Sequence, residues 1–119
     1  LSDVEWTIQL LQLRHGAEVP GLRTTRTLAA LDAAVDAGLV PYEDAEALRS
    51  SWTLAARIRN ALTLVSGRPG DSLPVPQREL TPVARLMNFG GESPAQSLEQ
   101  EYRRTARRAR TVMERLFYG

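Results

Sequence analysis

The chain has 119 residues, 43% of them apolar and 24% charged, with a formal net charge of +1. That is ordinary globular composition, long enough for one domain with a substantial core, and it excludes a disordered or fibrous chain. There is no cysteine and one histidine, His15, which excludes disulfide frameworks and thiolate metal sites and argues against imidazole ones.

No apolar run reaches the roughly 18 residues needed to cross a bilayer, and the start lacks a signal-peptide pattern. The expectation is a soluble, cytoplasmic protein with no membrane partner. All fifteen positive charges are arginine. They are unevenly placed: residues 1–48 carry eight acids against three arginines, and the remainder carries six acids against twelve. Such polarity can orient a partner but says little about fold.

The first predicted helix runs from Asp3 to His15. Two of its faces are apolar, Val4-Ile8-Leu11 and Trp6-Leu10-Leu13, so it should be largely buried. Gly16, Pro20 and Gly21 break the chain before a second, alanine-rich helix over about Thr25–Ala37, with Leu28, Leu31 and Val35 as its stripe and Gly38 as its stop. A third helix follows from about Glu43 to Val65, with acids in its first turn and an inner face of Leu48, Trp52, Ala55, Ile58, Leu62 and Val65. Residues 66–79, with three prolines and two glycines, read as one long loop, and Arg68-Pro69-Gly70-Asp71 as a tight turn within it.

A short helix is expected over Thr81–Asn88, ending at Gly90 and Gly91. Ser93 as N-cap and Pro94 at the first helical position then open the last helix. Its apolar face is Leu98, Tyr102, Ala106, Ala109, Val112, Met113, Leu116 and Phe117, and six arginines occupy the other side. The fold class is therefore all-α, a helical bundle of four major helices plus one short helix, in a single domain spanning 1–119.

Candidate chemistry is sparse. Ser2-Asp3-Val4-Glu5 reads first as a capping box, with Glu5 returning to the Ser2 amide. Residues two apart on a helix project about 200° apart, so Asp3 and Glu5 should not converge on one metal ion. On the third helix Arg49, Thr53, Arg57 and Asn60 form a polar stripe, either a solvent face or a docking surface for an acidic or phosphate-bearing partner. The arginine face of the last helix could neutralise phosphates. However, no aromatic side chains interleave to stack bases, and Glu99–Arg103 and Arg110–Glu114 pairing suits a solvated face, which makes nucleic acid the weaker reading. His15 reads as a helix-end residue, and no nucleophile–base set assembles.

Four segments carry a family resemblance: "SDVEWTIQLLQLRHG", "VPGLRTTRTLAALDAA", "LRSSWTLAARIRNALTLVSGRPGDSLP" and "EYRRTARRARTVMERLFYG". Together they resemble the C-terminal end of the bacterial glutamine synthetase adenylyltransferase/adenylyl-removing enzyme family, in its actinobacterial form. The resemblance implies a helical domain behind the adenylylating nucleotidyltransferase unit of a larger enzyme. That enzyme transfers AMP from ATP, with magnesium, to a tyrosine of glutamine synthetase and removes it by phosphorolysis, under control of PII protein and glutamine.

The implied partners are the upstream nucleotidyltransferase domain, glutamine synthetase and PII. The family's catalytic Asp-x-Asp occurs nowhere in these 119 residues, and its Gly-Gly ahead of Asp-x-Glu is missing at Leu1. The isolated chain is thus expected to hold neither magnesium nor ATP and to contain no catalytic or metal-binding residue. By resemblance Asp3 and Glu5 approach the nucleotide cleft, orienting a metal ligand or a cationic group there. Arg49, Arg57 and Asn60 are the partner-docking candidates. The alternative is a regulatory module for PII or glutamine with no part in the cleft.

Overall fold

The computed structural model of the chain describes residues 3–66 and 77–118, with backbone alone at residues 66 and 77–79. Five α-helices account for most of these: α1 (Asp3–His15), α2 (Thr27–Asp36), α3 (Tyr42–Ser66), α4 (Gln77–Leu86) and α5 (Pro94–Phe117). A 3₁₀ turn, Pro20–Leu22, lies between α1 and α2. No strand occurs among the described residues, so the class is all-α as the helical periodicities indicate. The helices group into two compact units, Leu1–Trp52 with Thr105–Gly119, and Thr53–Arg104. Both α3 and α5 contribute to each.

In the first unit, Val4, Ile8 and Leu11 of α1 bury against Leu22, against Ala30, Leu31 and Ala34 of α2, and against Val40, Leu48, Ala109 and Val112. Small residues on α2 let the 3₁₀ turn and α1 approach closely. A Cβ added to Gly21 would lie 2.9 Å from the Cβ of Ala33, so space rather than backbone conformation demands glycine there. α2 stops where expected. Gly38 adopts φ +75°, while Leu39 donates to the Ala34 carbonyl (2.9 Å) and Gly38 to that of Val35 (3.0 Å), a left-handed helix stop that satisfies the last carbonyls.

The second unit buries Leu54, Ile58 and Leu62 of α3 with Leu80, Val83 and Ala84 of α4 and with Met87, Ala95 and Leu98. Here α4 differs from the sequence reading. It begins at Gln77, inside the segment read as loop, and carries Pro82 in its interior. Proline is best tolerated in a first turn, which is why the sequence suggested a start at Thr81. Its end differs too. Asn88, at φ 66°, makes the left-handed stop, with Phe89 donating to the Ala84 carbonyl at 2.9 Å, so the helix is capped before Gly90 and Gly91. Arg68–Asp71 lies outside the described residues.

α1 departs most from expectation. Its Val4-Ile8-Leu11 face is buried, whereas Trp6 and Leu13 on the second face are 43% and 83% exposed. Val65 at the end of α3 is also exposed.

Candidate functional site

The two carboxylates at the start of α1 diverge, as 200° of helical rotation requires. Asp3 turns toward α5, where its Oδ1 lies 3.8 Å from Nη1 of Arg110. Arg110 also reaches Glu114 at 3.4 Å, the i,i+4 pair anticipated on that helix. The backbone carbonyl of Asp3 accepts a 2.7 Å hydrogen bond from the buried Thr7 hydroxyl. Ser2, the proposed cap, lies outside the described residues.

Glu5 faces elsewhere. It lines a cavity of about 320 Å³ with Ile8, Gln9, Gln12, Thr24, Thr25 and Thr27. The loop forming the far wall is held by side chains. Gln12 Nε2 donates to the carbonyls of Leu22 (2.8 Å) and Thr24 (2.9 Å). Arg23 donates through Nε to the Gly16 carbonyl (2.8 Å) and through Nη2 to that of Ala17 (2.9 Å). One carboxylate, two carboxamides and three hydroxyls thus line an open cleft, in which the Gln12 amide is already engaged with the backbone. Sequence reasoning missed this cavity. Its signal was the shared helical face of Glu5, Gln9 and Gln12, at i, i+4 and i+7, followed by the threonine cluster after Gly21.

The stripe expected on α3 is divided. Arg49 belongs to the first unit and is engaged: Nη2 donates to Asp32 of α2, and Nε lies 3.5 Å from Glu46. Its hydrogen bond to Asp32 holds the guanidinium pKa above its ordinary value, against a smaller opposing effect of desolvation. Arg57 and Asn60 lie in the second unit and are exposed. Leu64, 76% exposed, continues their row along α3 at helical spacing.

On α5, Arg103 pairs with Glu99 at 2.6 Å, as expected, and Arg104 with Glu101 at 2.6 Å. A less legible pair lies in the first unit, where Arg115 donates to Asp44, a nearly buried carboxylate at the start of α3. Arg14 stacks over Phe117 at 5.0 Å from the ring centroid. His15 ends α1, its carbonyl accepting from Glu18 and Val19 at 3.0 and 2.8 Å. Among the described residues no group of three His, Cys, Asp or Glu side chains could hold a metal ion. No described helix is long and apolar enough to cross a membrane.

A family model described as GlnD PII-uridylyltransferase matches residues 1–117. The chain belongs to that family. Among curated relatives, a Streptomyces coelicolor protein is 59% identical over all 119 residues. Relatives from Nocardia farcinica and Mycobacterium avium are 48% and 47% identical over 117 residues, 98% of this chain. Each is named bifunctional glutamine synthetase adenylyltransferase/adenylyl-removing enzyme, and the alignment covers 12% of its length. The resemblance drawn from the four sequence segments agrees with these actinobacterial relatives of the GlnD-family chain. No solved structure matches it.

Proposed function

We propose that this GlnD-family segment is a non-catalytic helical part of a glutamine synthetase adenylyltransferase, acting beside a nucleotidyltransferase portion of the same polypeptide. The observation that carries the reading is 59% identity over the entire chain to a much longer relative bearing that name. The family description and the relatives' names specify uridylyl and adenylyl transfer respectively, and both reactions move a nucleotidyl group.

Magnesium and ATP would be held outside these residues. Asp3 and Glu5 point apart, an arrangement that suits separate positioning roles rather than joint ligation of one ion. Asp3 and Glu5 instead act at the edge of the nucleotide cleft as positioning groups. Asp3 would orient a cation there, as its carboxylate lies 3.8 Å from the Arg110 guanidinium within this chain. Arg57 and Asn60 form the docking surface for glutamine synthetase or PII. Arg49, tied to Asp32 and Glu46, contributes mainly by fixing α2 to α3.

The test compares AMP transfer from magnesium–ATP to glutamine synthetase by the full-length chain and by residues 1–119. Transfer by the full-length chain alone supports the reading, and transfer by the 119-residue chain overturns it.

The cavity favours a second reading, regulation by a small polar effector such as glutamine, whose ammonium group Glu5 could meet. Calorimetric titration with glutamine distinguishes the two. Saturable heat that Glu5→Gln abolishes supports the effector site, and its absence removes that site.

A further inference from the structure

α1 carries an apolar row that the chain covers only in part. Val4, Thr7, Ile8 and Leu11 are the buried residues of this helix. Trp6, Leu10 and Leu13 follow one another at i, i+4 and i+7, on the side turned away from that buried face. Trp6 and Leu13 are two turns apart, about 10 Å along the helix. Leu10, between them, is half-buried, and the 43% and 83% exposure of the other two makes a continuous strip. Tryptophan at the head of such a strip is the side chain that most often anchors an interface.

The occupant follows from size and chain length. The strip measures on the order of a few hundred Å², at the scale of a functional patch. It is well short of the roughly 800 Å² per partner that a stable complex of separate molecules buries. A strip this small binds well when its partner is covalently tethered, because tethering supplies millimolar effective concentration. The relatives provide such a partner, since this chain aligns with only 12% of their length.

We propose that Trp6, Leu10 and Leu13 dock α1 into an apolar recess on the nucleotidyltransferase portion of the same polypeptide. This rests on the reading above that these residues belong to a longer adenylyltransferase. Docking through this row fixes the start of α1, so that Asp3 and Glu5 are carried by a helix seated on the catalytic portion.

The test uses the full-length chain. Leu13→Cys is labelled with a maleimide, and its rate is read by peptide mass spectrometry in native buffer and in denaturing urea. Docking predicts native labelling at least tenfold slower than in urea, and any smaller difference overturns it. A photo-crosslinking residue at position 13 then identifies the neighbour. Cross-links within one polypeptide, to peptides outside residues 1–119, support the proposal. Cross-links only to a second copy overturn it. Adenylyl transfer by the same preparation is measured separately: protection without transfer would discard the functional reading and leave the docking surface standing.

Discussion

Replacing Gly21 by alanine tests how the loop behind the cavity is seated. Gly21 is not among the residues with positive φ, so an alanine there carries no backbone strain. By restricting the unfolded chain it would by itself stabilise by about 0.4–1 kcal/mol. The obstacle is Ala33: a new Cβ would lie 2.9 Å from its Cβ, where carbon atoms prefer about 3.5–4.0 Å. The Ala33 methyl cannot rotate aside, so the 3₁₀ turn must lift off α2 and disturb the fully buried Leu22. Overpacking of this kind costs about 1–3 kcal/mol, leaving a net loss between about 0 and 2.6 kcal/mol, centred near 1. Ala33→Gly removes the obstacle at a cost of about 1 kcal/mol in helix propensity. Gly21→Ala should therefore destabilise the parent chain yet be neutral or stabilising in the Ala33→Gly background. Urea unfolding of the four proteins, followed by circular dichroism, gives the cycle. Equal effects of Gly21→Ala in both backgrounds would refute the steric reasoning.

Three further outcomes follow from named contacts. Arg115→Ala should cost more than Asp44→Asn, about 2–3 against about 1 kcal/mol, because it leaves a nearly buried carboxylate unpaired. Unfolding midpoints of the two variants order them. Asn88→Ala should lose about 1 kcal/mol, since the residue sits at φ 66°, while Asn88→Gly should hold or gain stability in the same assay. Arg49→Ala should lose about 0.5–1 kcal/mol with its links to Asp32 and Glu46, whereas Arg57→Ala should stay within about 0.5 kcal/mol by the same measurement.

The helices were legible because their signals are local. Apolar spacing marked α5, acids marked the first turn of α3, and Gly38 marked the stop of α2. The α4 boundaries were not, because Pro82 mimics a first turn and Asn88 supplied the left-handed stop that two nearby glycines seemed to offer. For α1, periodicity showed two apolar faces but could not say which one the rest of the chain would cover. Position on a helix predicted that Asp3 and Glu5 diverge, yet their neighbours come from α5 and from the segment that leads into α2, distant in sequence. The same holds for Arg49, where helical spacing suggested a free polar stripe and tertiary packing brought Asp32 within reach.

The proposed docking row and the two carboxylates belong to one helix, α1, so the proposed attachment and the proposed cleft role share one support. If α1 seats on the catalytic portion through Trp6, Leu10 and Leu13, small changes at its first turn act on the cleft without altering the core of either unit.

The most direct test is the steady-state kinetics of AMP transfer to glutamine synthetase by the full-length chain carrying Asp3→Asn or Glu5→Gln. At least one substitution should lower kcat/KM by about tenfold or more, the scale of a lost positioning contact, while any loss of stability stays within about 1 kcal/mol, the scale of a first-turn helix charge. Kinetics identical to the parent for both variants would contradict it.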